Sequence, residues 1–175
     1  MSVELLSPSQ LSHELREGTG DDLLRRRIGI ALSFAGAGIA VAVATYQTGL
    51  SKRLPDILPG KVWDAEKVDA SDYAYQNLQQ PDGPMMLVNY GLTAMTLAAG
   101  GADRARENPA LPLLTAGKAA VDLALCGALA AQEWRENKAL CSWCQVATAI
   151  SAATLGLAVP EAVRALRGPE GATVH

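Results

Sequence analysis

The chain has 175 residues, 49% of them hydrophobic, and a net charge of -3. So weak a charge argues against a nucleic-acid partner, which needs a basic face. The two histidines, His13 and His175, sit in terminal stretches and argue against a histidine-rich metal site. The length is that of one domain, but four apolar blocks alternate with polar ones along it.

Residues 1–27 are polar. They hold no apolar core followed by a small-residue cleavage site, so they do not read as a signal peptide. Leu5, Leu11 and Leu15 predict a short surface helix within 3–15. Arg25, Arg26 and Arg27 then precede residues 28–50, about 23 residues without charge. That run is long enough to span a bilayer core of roughly 30 Å. Gly29, Ser33, Gly36 and Ala37 suit a membrane helix with a close neighbour. A buried helix of a soluble protein is the alternative, and the arginine flank argues against it.

Residues 51–84 form a polar loop too long for an idle connection. Leu54-Pro55-Asp56 and Pro59-Gly60 are turn signals. Residues 64–78 predict a short helix along the membrane surface, capped by Asp69 or Ser71. Residues 80–84 turn again, into a second span at 85–102. The stretch 103–108 reads as a tight turn, 110–131 as a third span and 132–138 as another turn. The fourth span is 139–163, ending near Pro160, and 164–175 is a polar tail without readable structure. The expected fold is therefore an all-α membrane protein: a four-transmembrane-helix bundle at 28–163 with a long outer loop containing a short surface helix.

Orientation follows from charge. Arg25–Arg27, Arg104, Arg106, Arg164 and Arg167 fall on one side, which should be cytoplasmic. Lys52, Arg53, Lys61, Lys67, Arg135 and Lys138 fall on the other, so the bias is modest. Trp63, Trp134, Trp143, Tyr46, Tyr73 and Tyr75 lie on that other side too, as an interfacial belt would. Both termini are then inside, and Cys141 and Cys144 face the oxidising side of a cell inner membrane.

Those two cysteines, in Ala139–Gln145 (ALCSWCQ), form the only CxxC. A lone CxxC is a redox pair, half a zinc site or a structural disulfide. No second CxxC or nearby histidine completes a zinc site. Exchange needs a thiolate and a resolving thiol. A CxxC at a helix N-terminus supplies both, because the dipole and free amides favour the thiolate.

Four spans, a long first outer loop, CxxC at the outer start of the last span, and Val68, Ser71 and Tyr73 in KVDASDY with Tyr90 beyond them resemble the vitamin K epoxide reductase family. The resemblance covers 28–163. It implies a bundle around a quinone of the ubiquinone or menaquinone type, reduced by the CxxC. It also implies a thioredoxin-like or other thiol protein as partner. Carried over, Cys141 is the thiol exposed to exchange and Cys144 the one facing the quinone, with Ser71, Tyr90 and Thr148 as quinone-binding positions. Thr148 stands where the family usually has tyrosine, and Asp82 falls near its usual asparagine. The loop has no cysteine; the family's second loop cysteine usually falls at Ala65.

Each position has a plainer reading. The CxxC could pin the last helix, Ser71 could cap, and Tyr90 could fill the bundle. Lys118 and Asp122, four residues apart on one helix face, read as a proton relay or as a self-satisfied pair with Lys118 snorkelling. Cys126 reads as packing. The function expected first is a membrane thiol–disulfide oxidoreductase coupled to a quinone. The alternative is a non-catalytic membrane subunit that keeps the fold to bind a partner or join a larger membrane complex.

Overall fold

With no water in a bilayer to satisfy backbone groups, long apolar runs close their hydrogen bonds internally as helices. The computed structural model, which describes residues 6–76 and 79–168, is all-helical among those residues. Its elements are α1 (Pro8–Glu17), α2 (Asp21–Gln47), α3 (Ala65–Asp69), a 3-10 turn (Asp72–Tyr75), α4 (Asp82–Ala98), α5 (Arg104–Glu107), α6 (Ala110–Asn137) and α7 (Ser142–Arg167). α2 packs on α4 and α7, and α6 on α7 and α4, closing a ring of four helices. By length and composition α2, α6 and α7 can each cross a membrane. α4, at 17 residues, is shorter.

The ring is small and polar inside and apolar outside. Ser33, Gly36, Ala40, Ser151, Thr154 and Ala158 are buried. Phe34, Met95, Leu114, Val121 and Leu125 are exposed. A soluble helix faces its large apolar residues inward; this reversal fits a multi-pass membrane protein, whose contacts rely on close approach of small residues. Two glycines are required by that approach. A Cβ on Gly36 would lie 2.4 Å from the Tyr90 ring, and one on Gly83 2.7 Å from the Ala44 backbone nitrogen.

Several boundaries differ from the sequence expectation. α2 begins at Asp21, so the three arginines are its first turns rather than its flank. α4 starts at Asp82 and stops at Ala98. The expected turn at 103–108 holds the short helix α5. The stretch 132–138 is not a turn: α6 runs through it to Asn137, and only Lys138 breaks out, at φ 53°. α7 continues through Pro160 to Arg167, since membrane helices tolerate the missing N–H when neighbours enclose the gap. The first helix is displaced to Pro8–Glu17, where Ser7 and Gln10 form a capping box. Residues 1–5, 77–78 and 169–175 of the expected segments lie outside the described residues.

At the end opposite the CxxC, two buried arginines replace backbone partners. The Arg26 guanidinium donates to the carbonyls of Leu97 (2.8 Å), in the last turn of α4, and of Gly100 (3.0 Å) and Gly101 (2.8 Å), in the turn that follows it. Arg104 donates to Thr96 and Ala99 and pairs through two nitrogens with Glu161, at 2.9 and 2.8 Å. Both members of that pair are almost wholly enclosed. Removing one partner of a buried pair leaves an uncompensated charge. Glu161→Ala should therefore destabilise the protein by about 3–5 kcal/mol, read as a lower thermal midpoint in detergent. An unchanged midpoint would show that the α4 carbonyls alone hold Arg104.

Candidate functional site

The site is assembled where the loop meets the start of α7. Leu140 pairs with the loop through its N–H to the Val62 carbonyl (2.9 Å) and its carbonyl to the Asp64 N–H (3.0 Å). That fixes the next residue, Cys141, as the N-cap of α7, with its Sγ accepting the Cys144 N–H at 3.3 Å. Asp56 latches the loop onto the same turn. Its Oδ1 accepts the Ser142 hydroxyl (2.6 Å) and N–H (3.3 Å), and its Oδ2 accepts the Ala65 N–H (3.1 Å). Trp143 Nε1 donates to the Pro55 carbonyl at 3.0 Å. Tyr46 and Tyr75 donate to the Glu66 and Gln47 carbonyls, and Tyr73 to Leu129, tying the loop to α2 and α6.

Cys141 and Cys144 are both free thiols. Their sulfurs and a carboxylate oxygen of Asp69 lie within 4.8 Å of one another. The structure reverses the expected exposure. Cys141 is fully enclosed, in a cluster with Val43, Leu54, Ala65, Val68 and Ala139, because the loop folds over it. Cys144, one turn on, is half-buried.

Asp69 does not cap α3. Asp64 does, accepting the Lys67 N–H. Asp69 is instead 1% exposed, with Oδ1 4.0 Å from Cys144 Sγ and Oδ2 without a partner among the described residues. Burial pushes its carboxyl from the ordinary 3.8 up to about 7; a hydrogen bond with Cys141 opposes the rise, and Asp82 and Asp56 add to it. Glu133 is also buried, accepting the Cys141 N–H at 3.3 Å. Neither acid was singled out as a site residue from sequence. Asp69 carried a signal, since it stands next to Val68 four residues after Ala65.

Each of the three expected quinone positions spends its hydroxyl on a backbone carbonyl. The Ser71 hydroxyl donates to the Val68 carbonyl (2.6 Å) and caps nothing. Thr148 donates to the Cys144 carbonyl of its own helix (2.9 Å). Tyr90 is buried, its hydroxyl donating to the Ala147 carbonyl (2.8 Å) close to Ser151. The cavity beside it, lined by Tyr90, Thr93, Ala119, Asp122, Ser151 and Thr154, measures about 10 Å³. That is room for one water, not for a quinone ring. Asp82 bonds Gln47. Lys118 does not snorkel: its Nζ turns inward to Asp122 (2.6 Å), Asn89 (2.9 Å) and Thr93 (2.7 Å). Cys126 is half-buried.

The raised Asp69 carboxyl has a consequence for stability. The folded state holds that proton more tightly than the unfolded chain. Its contribution is therefore full below about pH 4 and lost as pH rises to about 7. Asp69→Asn should thus stabilise the protein by on the order of 1–3 kcal/mol at pH 8, and by much less at pH 5. Thermal unfolding at the two pH values checks this. An equal effect at both would show that Asp69 titrates as an ordinary carboxylate.

Comparison with individual curated proteins and with solved structures finds no match. The family model described as Vitamin K epoxide reductase family matches residues 27–159. That match takes in α4, α6, the loop, both cysteines of the CxxC and most of α2 and α7. Covering well over half of the sequence, it shows that the chain belongs to the vitamin K epoxide reductase family.

Proposed function

We propose that the protein is a four-span membrane thiol–disulfide oxidoreductase in which Cys141 and Cys144 pass electron pairs between a protein dithiol and a membrane quinone. The observation that carries this is the pair of free thiols on one helix turn beside a buried acid. α4 serves as the fourth span. Its 17 residues reach roughly 26 Å, and Val88, Leu92 and Met95 give it an apolar outer face. Both termini lie on the cytoplasmic side of the inner membrane and the CxxC on the outer side, in keeping with the arginines at the far end of the bundle.

The cycle balances. A partner dithiol reduces the Cys141–Cys144 disulfide, its own sulfurs becoming a disulfide while two thiols form here. The quinone supplies the acceptor for those two electrons and two protons. The donor set suits such an exchange, since a dithiol holds both electrons and an acid beside it can move a proton. The cavity at Tyr90 does not suit a ring, so half-buried Cys144 is the thiol that would face a quinone bound outside the bundle. Thr148, on the next turn, is the nearest of the three expected contacts in sequence.

A second reading has one observation in its favour. Cys141 is sealed under a loop that has no cysteine of its own, which suits a non-catalytic subunit whose CxxC is structural. One experiment separates them. The purified protein in detergent is reduced with a small dithiol, then given a soluble quinone analogue, while quinol formation and thiol labelling are followed together. Quinone-dependent reoxidation, abolished by Cys144→Ala, is expected. Thiols that persist in the presence of quinone would establish the subunit reading instead.

A further inference from the structure

Asp69 is a buried carboxyl that the packing does not use. It caps no helix, and one oxygen lacks any partner among the described residues. The titratable groups around it come from every neighbouring element. They are Cys141 and Cys144 at α7, Asp56 in the loop, Asp82 at α4, Glu133 in α6, and the phenols of Tyr46 and Tyr75. All are acids, phenols or thiols. The nearest lysine in sequence, Lys67, donates to the Asn137 carbonyl. A buried carboxylate without a cation is costly. An apolar residue would pack there at less cost, so the site holds an acid for its chemistry.

We propose that Asp69 is the proton acceptor and donor of the Cys141/Cys144 pair, exchanging its proton with Cys144 Sγ through Oδ1. The geometry stands apart from any electron acceptor; the purpose rests on the oxidoreductase reading. An incoming thiolate attacks half-buried Cys144 and expels Cys141, which takes up the proton that thiol gave up; the partner's second thiol then resolves the mixed disulfide, and Cys144 departs with an electron pair. Protonated Asp69 delivers its proton there and becomes a carboxylate. In the return half, the Asp69 carboxylate removes the thiol proton as the sulfur becomes a nucleophile. Over a full cycle Asp69 is unchanged, and the net two protons leave with the two electrons. A carboxyl that titrates near neutrality can work in both directions.

The test needs no quinone. In a Cys126→Ser background, the reduced protein is alkylated with iodoacetamide across pH. The wild-type rate should bend near neutrality. Asp69→Asn should lose that bend and react about tenfold more slowly at pH 7, as general-base assistance implies, and Asp69→Glu should recover part of the rate. Faster alkylation in Asp69→Asn would mean that the carboxylate only repels a thiolate, and would overturn the proposal. So would an unchanged profile, or thiols that react only after a chelator, which would make Asp69 a metal ligand. Infrared difference spectra of wild-type protein between disulfide and dithiol forms give an independent reading. A change in a protonated-carboxyl band is expected, and its absence overturns the proposal without any variant. If quinone fails to oxidise the thiols while the bend is present, the oxidoreductase reading falls and the proton role stands.

Discussion

The Asp56 carboxylate holds the site together. One oxygen fixes the first turn of α7 through Ser142, and the other fixes the first turn of α3 through the Ala65 N–H. Charge-assisted bonds of this kind are the stronger and more directional ones. They matter because the two helices are joined by no sequence proximity and share no sheet. Asp56 sets the distance between them. Once α3 is seated, Val68 and Ala65 must close over Cys141, and Asp69 must lie beside Cys144. The Trp143–Pro55 and Leu140–Val62 bonds reinforce the same register.

The rest of the bundle solves a different problem with the same economy of polar groups. Its interior is lined by small residues, so the helices come close, but α4 ends early and leaves carbonyls without partners. Arg26 and Arg104 fill that role from α2 and α5. Lys118 and Asp122 are treated similarly, being satisfied by Asn89 and Thr93 across the helix interface. Polar groups inside the ring are thus almost all committed. Asp69 Oδ2, Asn137 Nδ2 and Thr154 Oγ1 are the buried side-chain atoms left without partners among the described residues.

Much of this was legible because it is periodic or local. Leu23, Gly29, Ser33, Gly36 and Val43 recur on one face of α2, and all are buried. Arg26 falls on that face, so its inward turn was readable in principle, although a run of three arginines reads first as a flank. The CxxC at a helix start was legible because an apolar run without charge, 146–159, follows it. The end of α6 was not, since polar QEWRENK resembles a turn until Glu133 is seen to be buried against Cys141. Asp69 was not legible for a related reason. In a five-residue helix, a cap and a buried acid have the same local sequence, and only the long-range seating by Asp56 distinguishes them.

That seating also bears on what the loop contributes to the chemistry. Ala65 and Asp69 are four residues apart on α3 and so share a face. Both are buried toward the CxxC end. In the family pattern a cysteine at the first position would hand electrons to Cys141. An alanine methyl there cannot carry electrons, but it packs in the same cluster as Cys141 and keeps water away from the sulfur. One turn later the same face presents a carboxyl to Cys144. A loop built this way presents a carboxyl to the thiols and no sulfur of its own. On the oxidoreductase reading, electrons would enter a Cys141–Cys144 disulfide directly, and the sulfur open to them is half-buried Cys144 rather than Cys141, which the loop seals.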